Sequence, residues 1–357
     1  MKTITIGTSN MKHGSLKNLE TWLLFDLKNE FNFVYSDNPD FLIVSDYNSG
    51  LDYLRKDCVL IFYSTENIHP NFEFFDYCIG YSNQLSFGDR YCFYLPAIRG
   101  IQRFLSKDLK FRQLSRVEGN EILSNKNLFC DFTYNHDNKR LMRKHYLELL
   151  GKYKEVSIGG RLYNNKQSND KRVYNYSSKI ELQKKCKFSI VVESCEFSGG
   201  LVTEKIFHAI LSNTIPIYYG DEDVYKYVNP KRFIDAKNYT DSELLNLIIK
   251  IDNDDNLFLD YICEKALVDE NFFAKNQKRL SAFLRNIFNQ DPAEALRKPA
   301  NEFSTRWLKD RLIESDNLYN AGMIKTFNHL LSLFFHNVKK LIRFFFKKKE
   351  KSSFCDR

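Results

Sequence analysis

A strand, a glycine-containing loop, a helix and a second strand are predicted in succession between residues 186 and 235. Residues 188–192 form a short apolar run rich in β-branched side chains, which is typical of a buried parallel strand. Thr203 is placed to cap a helix whose apolar residues recur on one face as far as residue 211. Residues 215–219 begin the next strand. This order of elements predicts an α/β fold with a parallel sheet.

Three charged residues of this unit indicate a ligand site. Glu193 stands at the carboxyl end of the first strand, and Glu204 and Lys205 lie in the first turn of the helix. In open α/β sheets ligands bind beyond the carboxyl ends of the strands, and a helix N-terminus offers unpaired N–H groups to an anion. A lysine adds a positive charge, whereas a carboxylate accepts hydrogen bonds from sugar or ribose hydroxyls. The unit therefore suits a ligand that carries a diphosphate.

Several ordered blocks carry a family resemblance. They read Gly-Leu-Val-Thr-Glu-Lys at 200–205, Ile-Pro-Ile-Tyr-Tyr-Gly at 215–220 and Val-Asn-Pro-Lys-Arg-Phe-Ile at 228–234. In this order and spacing they resemble the bacterial α-1,3/α-1,4-fucosyltransferases, glycosyltransferase family 10, whose donor is GDP-fucose. The chain departs from the family signature at Ser194, which replaces Asn, and at Leu201, which replaces Tyr. The loop between the strand and the helix is also one residue longer.

The resemblance implies a set of donor-binding residues, namely Arg161, Glu193, Ser194, Thr203, Glu204 and Lys205. Glu193 and Glu204 would orient donor hydroxyls, and Lys205 would stabilise the diphosphate as it leaves. Arg161 follows the Gly-Gly pair at 159–160, near which family members have a basic residue for the diphosphate, although the offset here differs by two residues. A solvated loop arginine accounts for Arg161 equally well.

A second block supplies the candidate catalytic residue. Ser-Thr-Glu-Asn-Ile-His-Pro-Asn-Phe at 64–72 and Phe-Asp-Tyr-Cys-Ile-Gly at 75–80 resemble the same family, with His69 where Arg is usual. In the family the Glu of this block is the proposed general base, which places that role on Glu66. Inverting glycosyl transfer requires a carboxylate that takes the proton of the acceptor hydroxyl. The alternative is a capping carboxylate in the turn after a strand.

The resemblance also implies the architecture and the reaction. We expect a GT-B fold, in which two Rossmann-like domains face a cleft, with an acceptor domain at 1–125, a GDP-fucose domain at 126–300 and a basic amphipathic tail at 301–357. The expected reaction moves L-fucose, with inversion, from GDP-fucose to the 3-OH, or alternatively the 4-OH, of N-acetylglucosamine. The expected acceptor is a lactosamine-type glycan of a bacterial surface polysaccharide.

The sequence offers little for a metal. Asp-Asn-Asp-Asp at 252–255 resembles the Asp-x-Asp cluster with which many other sugar-nucleotide transferases bind a cation, but it ends a predicted helix rather than a strand. A solvated turn is the better explanation. We therefore predict no metal site and no required cofactor, a divalent cation at most stimulating turnover.

The net charge of +8 is concentrated at the C-terminus. Residues 322–357 contain nine Lys or Arg and two acidic residues, so the preceding chain is nearly neutral and a nucleic-acid partner is not expected. Apolar residues alternate three and four apart in this segment: Ile324, Phe327, Leu331, Phe334, Val338, Leu341 and Phe345. The pattern predicts an amphipathic helix on an anionic membrane surface. A coiled-coil seam and a helix docked on the body remain alternatives.

Cysteine usage and the first residues predict the compartment. The eight cysteines are scattered without Cys-x-x-Cys pairs, which is typical of reduced protein. The first seven residues enter a strand pattern instead of a secretion signal. We therefore expect a cytoplasmic enzyme that is peripheral on the inner face of a bacterial cytoplasmic membrane.

Two other functions fit the same residues. One is a GT-B transferase that uses a different nucleotide-sugar donor. The other is a non-catalytic, membrane-associated protein that binds glycans, because Ser194 and Leu201 depart from the family signature.

Overall fold

The computed structural model describes residues 1–11, 14–47, 50–64, 66, 68–95, 97–98, 100–101, 111–137, 141–163, 176–194, 199–298 and 310–313. The predicted amphipathic helix at 324–345, with most of the tail, lies outside these ranges. Among the helices that are described, none has both the length and the apolar character needed to span a bilayer.

The first lobe is built on a six-stranded parallel sheet. Its strand order is β2-β1-β3-β4-β5-β6, so the first strand lies inside the sheet. The strands are β1 (Lys2–Ser9), β2 (Phe31–Tyr35), β3 (Phe41–Ser45), β4 (Val59–Tyr63), β5 (Tyr77–Gly80) and β6 (Tyr91–Phe93). Because all of them are parallel, their carboxyl ends meet at one edge, from which the loop carrying Glu66 emerges.

Helix α1 (Leu16–Trp22) is shorter than the sequence predicts. Apolar residues recur as far as residue 31, which suggests a helix of that length, but the backbone N–H groups of Leu23 and Leu24 both bond to the carbonyl of Leu19. This sharing ends the regular ladder, and the chain continues in turns. The leucines remain fully buried, so the apolar spacing serves the core without a continuous helix.

The second lobe is built on a five-stranded parallel sheet in the order β11-β10-β9-β7-β8. Its strands are β7 (Leu128–Phe132), β8 (Val156–Ile158), β9 (Cys186–Val192), β10 (Ile215–Tyr219) and β11 (Ile234–Asp235). The predicted strand–loop–helix–strand unit lies at its centre, where β9 and β10 pair in register from Phe188 with Ile215 to Val192 with Tyr219. The α/β prediction with parallel sheets is confirmed in both lobes.

Helices cover the faces of this second sheet. They are α2 (Arg116–Ser124), α3 (Leu141–Gly151), α4 (Tyr176–Lys185), α5 (Glu204–Leu211), α6 (Val224–Tyr227), α7 (Asp241–Asn253) and α8 (Asp255–Ile262). Asp252, the first residue of the Asp-Asn-Asp-Asp cluster, is buried. It accepts hydrogen bonds from Tyr153 and Lys154, while Asp254 caps the N-terminus of α8. These carboxylates therefore serve the packing of helices, and Asp252 is not in a solvated turn.

The last described long helix, α9 (Phe272–Asn289), returns to the first lobe. Its Phe288 ring lies 5.4 Å from that of Phe33 and 5.2 Å from that of Phe41, edge to face in both pairs. All five strands of the second sheet fall within the range 126–300 that we predict for the second domain. The end of that range nevertheless packs on the other lobe, because the apolar stripe of α9 completes the core of the first sheet.

Asp76 fixes the segment that follows α9. Its fully buried carboxylate accepts hydrogen bonds from the backbone N–H of Leu60 (2.8 Å), Arg297 (2.7 Å) and Lys298 (2.8 Å), and from the amine of Lys298 (3.0 Å). The Asp76→Asn substitution should lower the free energy of unfolding by about 3–5 kcal/mol, because it removes the charge that four donors surround.

Urea unfolding measures this change, with Asp89→Asn as the control. The Asp89 side chain is 55 % exposed and lies 3.6 Å from Arg297, an ion pair whose loss should cost less than about 1 kcal/mol. Equal stability losses in the two variants would show that Asp76 does not fix this segment.

Candidate active site

Glu193 lies at the carboxyl end of β9 and is almost fully buried. One carboxylate oxygen accepts hydrogen bonds from the Thr203 amide (2.9 Å) and hydroxyl (2.8 Å), and the other accepts from the Lys205 amine (3.0 Å). A buried carboxylate requires such donors, because its hydration is lost. In the structure the oxygens of Glu193 fix the start of α5. That Glu193 also orients donor hydroxyls stays a prediction.

Thr203 occupies the N-cap position of α5, but its side chain does not cap the helix. The hydroxyl is 2.7–2.8 Å from the Glu193 carboxylate and accepts a hydrogen bond from the Lys205 amine at 2.8 Å. The predicted cap is therefore wrong: a capping hydroxyl oxygen accepts from a backbone N–H, whereas this hydroxyl donates to the buried carboxylate and its oxygen accepts from the Lys205 amine. In the described part of the chain Thr203 does not cap the first turn of α5, and a helix N-terminus of this kind can bind an anion.

Lys205 and Glu204 are both charged in this site. Burial alone would lower the pKa of the Lys205 amine, but the charges of Glu193 and Glu204 outweigh it and raise that pKa. Burial would raise the pKa of Glu204, but the charges of Lys205, His208 and Lys179 outweigh it and lower that pKa. The Lys205 side chain is 18 % exposed, so a fixed cation reaches the surface between the lobes.

The two lobes meet beside this helix. Gly100 of the first lobe packs so closely on α5 that a Cβ added to it would lie 2.6 Å from the Cβ of Glu204. Gly200 has a φ of 98°, and a Cβ there would be 3.0 Å from the carbonyl of Tyr81. The backbone N–H of Asn83 donates a hydrogen bond of 3.2 Å to the carbonyl of Gly199. Glycines therefore allow the first lobe to pack directly against the loop before α5.

Leu201 is part of the same contact. It replaces the family's Tyr, is 1 % exposed and packs against Tyr81 of the first lobe. An apolar side chain suits this buried position between the lobes. The departure from the signature thus has a packing role, whereas the half-buried Ser194 directly after Glu193 has no described contact that explains its replacement of Asn.

Glu66 emerges beyond the carboxyl end of β4 in the first lobe, and its side chain reaches solvent. Its pKa is raised, first by the partial loss of hydration near the cleft walls and then by the charge of Asp46. Lys205 lowers this pKa, while Glu204 and Glu193 raise it. Three of these charges belong to the second lobe, so Glu66 lies near enough to the start of α5 to be affected by the charged groups there.

Arg161 lies at the same edge of the second sheet but nearer its margin. It follows β8, which is separated from β9 by β7. Its backbone N–H donates a hydrogen bond to the side-chain oxygen of Asn135 (3.2 Å), while its side chain is exposed. Among the described contacts, the side chain of Arg161 has no fixed position toward α5.

Arg143 is a functional candidate that the sequence reasoning misses. It lies in the first turn of α3 and is only 3 % exposed. Its guanidinium carbon lies 4.3 Å from the ring centroid of Tyr134, and its Nη1 donates to the His136 carbonyl (2.5 Å). The Nε proton has no acceptor among the described residues. The Tyr134 hydroxyl accepts a hydrogen bond from the backbone N–H of Val192 (2.6 Å). The ring on which Arg143 stacks therefore lies at the edge of the site that contains Lys205.

Two parallel sheets whose carboxyl edges face one cleft, with an acid on one lobe and fixed cations on the other, define a GT-B glycosyltransferase. Two family models match the chain in order. Residues 12–97 match the model of the alpha-(1,3)-fucosyltransferase FucT N-terminal domain, and residues 123–284 match that of the glycosyltransferase family 10 (fucosyltransferase) C-terminal part. The chain belongs to glycosyltransferase family 10.

Individual relatives agree with this assignment. The alpha-(1,3)-fucosyltransferase FucT of Helicobacter pylori is 28% identical over 309 residues, which are 75% of this chain and 62% of the relative. Protein R654 of Acanthamoeba polyphaga mimivirus is 29% identical over 237 residues, 63% of this chain and 37% of the relative. The chain therefore spans less than two thirds of the length of either relative.

Solved structures confirm the GT-B fold. A crystal structure of an alpha1,3-fucosyltransferase superposes with a TM-score of 0.63 at 25% identity and covers 81% of this chain and 90% of its own. A structure of alpha1,3-fucosyltransferase with GDP gives a TM-score of 0.63 at 24% identity, covering 81% and 91%.

Proposed function

We propose that this protein transfers L-fucose from GDP-fucose to the 3-OH, or alternatively the 4-OH, of N-acetylglucosamine in a lactosamine-type glycan of a bacterial surface polysaccharide. Family membership supports the donor. The observation that carries the proposal is the placement of Glu66, a carboxyl group with a raised pKa, across the cleft from the fixed amine of Lys205. A proton acceptor and a cation for the leaving group are the two elements that metal-independent glycosyl transfer needs.

The proposed step is a single displacement at the anomeric carbon of fucose. The acceptor hydroxyl oxygen forms the new bond to this carbon while the bond to the β-phosphate oxygen breaks, and the hydroxyl proton moves to the Glu66 carboxylate. GDP leaves with both electrons of the broken bond, and the anomeric configuration inverts. Lys205, the first-turn N–H groups of α5 and Arg143 stabilise the charge that develops on the diphosphate.

No cofactor is part of this proposal. Lys205 is held in place by Glu193 and Thr203, so its position does not depend on the ligand. A fixed cation supplies the electrostatic stabilisation that other transferases obtain from a bound metal ion. We expect a chelator to leave turnover largely intact and a divalent cation at most to stimulate it.

The proposed location is the inner face of the bacterial cytoplasmic membrane. It depends on the basic amphipathic pattern at 324–345, which lies outside the described residues, and on attraction of about 1 kcal/mol per Lys or Arg near an anionic surface. Sedimentation with vesicles containing phosphatidylglycerol, with and without residues 322–357, tests it. Equal binding of both chains would contradict the membrane role of the tail.

Release of GDP from GDP-fucose tests the activity. We expect release that depends on added N-acetyllactosamine, with a fucosylated product of the matching mass. Thermal shifts with GDP and UDP separate the proposed donor from other nucleotide sugars. Stabilisation by UDP alone would indicate a different donor, and glycan binding without GDP release would indicate a non-catalytic protein.

Arg143→Met should weaken GDP binding about 10- to 100-fold. A charge-assisted hydrogen bond contributes about 1.5–3 kcal/mol, and the buried Nε of Arg143 has no acceptor among the described residues. Calorimetric titration with GDP measures the loss, and Arg143→Lys should recover little of it because an ammonium cannot reproduce the planar stack on Tyr134.

Arg161→Met is the matched control for this prediction. The exposed Arg161 side chain should change GDP affinity less than threefold, which corresponds to roughly the 0–1 kcal/mol of exposed ion pairs. A large loss with Arg161→Met and none with Arg143→Met would return the diphosphate role to Arg161.

A further inference from the structure

Asp46 is a carboxylate beside the proposed base that no sequence motif singles out. It follows β3 at the carboxyl edge of the first sheet and is half-buried. One oxygen accepts a hydrogen bond from the Ser64 hydroxyl (2.5 Å), and the other accepts from the Ser45 hydroxyl (3.1 Å). Its position is therefore fixed by two hydroxyl groups at the ends of neighbouring strands.

Ser64 connects Asp46 to Glu66. The Ser64 hydroxyl donates its proton to Asp46 and accepts a hydrogen bond from the backbone N–H of Glu66 at 3.1 Å. Ser64 is 2 % exposed, and its own N–H donates to the carbonyl of Ile79 (3.0 Å) on the adjacent strand. A chain of two hydrogen bonds thus runs from a fixed carboxylate to the peptide unit that carries the base.

The register of the sheet makes this arrangement possible. Strands β3 and β4 are parallel neighbours in which Ser45 pairs with Tyr63. The next residues of the two strands, Asp46 and Ser64, consequently leave the sheet side by side. Their proximity follows from strand pairing and not from flexible loops, which gives the base a rigid support.

Asp46 also acts on Glu66 through its charge. Among the charged groups near Glu66, Asp46 has the largest effect on its pKa. After the loss of hydration, the charge of Asp46 is the main cause of the raised pKa. The other charged groups that face Glu66 are Lys205, which lowers the pKa, and Glu204 and Glu193, which raise it. A carboxylate whose pKa is raised toward the working pH is a better proton acceptor than an ordinary one.

We propose, on the basis of the proposed function, that Asp46 is a positioning residue for the base: through the hydroxyl of Ser64 it orients the peptide unit of Glu66. It touches neither the donor nor the reacting atoms. Asp46 lies in the same lobe as Glu66, so its contribution does not depend on bound nucleotide.

The pH dependence of kcat/KM tests this role in Asp46→Asn. Removal of the charge lowers the pKa of Glu66, so the acid limb of the profile should move to lower pH, and kcat should fall about tenfold, a part of what a general base contributes. The KM for GDP-fucose should stay within about twofold, because uniform donor binding is not altered. Ser64→Ala keeps the charge and breaks the chain; it should lower kcat without moving the acid limb.

Asp40→Asn is the matched control. Asp40 lies at the opposite end of β3, where its carboxylate also accepts a hydrogen bond from a hydroxyl group, that of Thr5, at 2.5 Å. It is far from Glu66 along the strand, so this variant should keep the wild-type profile. An acid limb that is the same in Asp46→Asn and in wild type would overturn the proposal.

A titration without turnover separates this inference from the proposed function. In protein labelled with carbon-13 at its Glu carboxyl carbons, the Glu66 resonance, assigned through Glu66→Gln, should titrate at lower pH in Asp46→Asn than in wild type. An unshifted midpoint would refute the tuning role even in a protein with transferase activity. A shifted midpoint in a protein without fucosyl transfer would support the coupling and reject only the function.

Discussion

Glu66→Gln is expected to abolish turnover while GDP binds as tightly as it does to wild type. The amide has the size of the acid but cannot take the acceptor proton, and loss of a general base costs about 10²- to 10⁴-fold in rate. Glu66 belongs to the first lobe, whereas the fixed cation for the diphosphate, Lys205, belongs to the second. The substitution should therefore separate catalysis from nucleotide binding.

Single-turnover transfer and calorimetric titration with GDP measure the two effects separately. Glu73→Gln, a change of the same type at an exposed carboxyl of the same lobe, should leave both unchanged. Retained turnover together with lost GDP affinity would contradict the assignment of Glu66 as base. The assignment would also fail if both variants lost equal activity.

The raised pKa of Glu66 fixes the sign of the pH dependence. The base works when it is deprotonated, so activity is lost as the pH falls through its pKa. Since this pKa lies above the ordinary value of 4.5, the acid limb of kcat/KM in wild type should have its midpoint above 4.5. Glu66→Gln should remove this limb from any residual activity.

Local patterns were sufficient to predict the strands that position the site. Residues 59–63 and 215–219 are predicted from short apolar runs bounded by turn residues, and both are strands with these bounds in the structure. Such runs are reliable because a central parallel strand is buried on both faces. Glu66 follows the first of these strands, whereas Lys205 lies in the helix that precedes the second.

The parts that the sequence could not predict depend on contacts between distant segments. Arg143 has the spacing of an ordinary helical arginine, and only its burial against Tyr134 shows that it belongs to the site. Thr203 matches a capping pattern, yet its hydroxyl donates a hydrogen bond to the buried carboxylate of Glu193 and does not cap the helix. In both cases a buried charged group selects its partner by position in the fold, which residue spacing along the chain does not show.

Lys205→Met is expected to reduce turnover about 10²- to 10³-fold, the usual effect of removing one group that stabilises developing charge. The variant should also be less stable, because the buried Glu193 carboxylate loses its only described cation. Breaking a buried pair costs about 3–5 kcal/mol, and the loss here should fall at the lower end because Thr203 still donates and the Lys205 side chain is 18 % exposed. Lys205→Arg should recover part of the stability.

Lys187→Met provides a matched control at the other end of the same strand. The Lys187 side chain is 15 % exposed and lies 3.5 Å from the carboxylate of Asp252, which is 4 % exposed. The pair resembles Lys205 with Glu193, but it lies at the amino end of β9, away from the cleft. This variant should lose stability and keep its kcat and GDP affinity.

The double variant Glu193→Gln with Lys205→Met separates the two roles of the lysine. The neutral amide no longer leaves a buried charge unpaired, so urea unfolding should show that stability returns toward that of wild type. Turnover should remain as low as in the single Lys205 variant, because the cation for the leaving diphosphate is still absent. If turnover returned with stability, the role of Lys205 would be structural, and the charge on the diphosphate would have to be stabilised by Arg143 and the helix N–H groups alone.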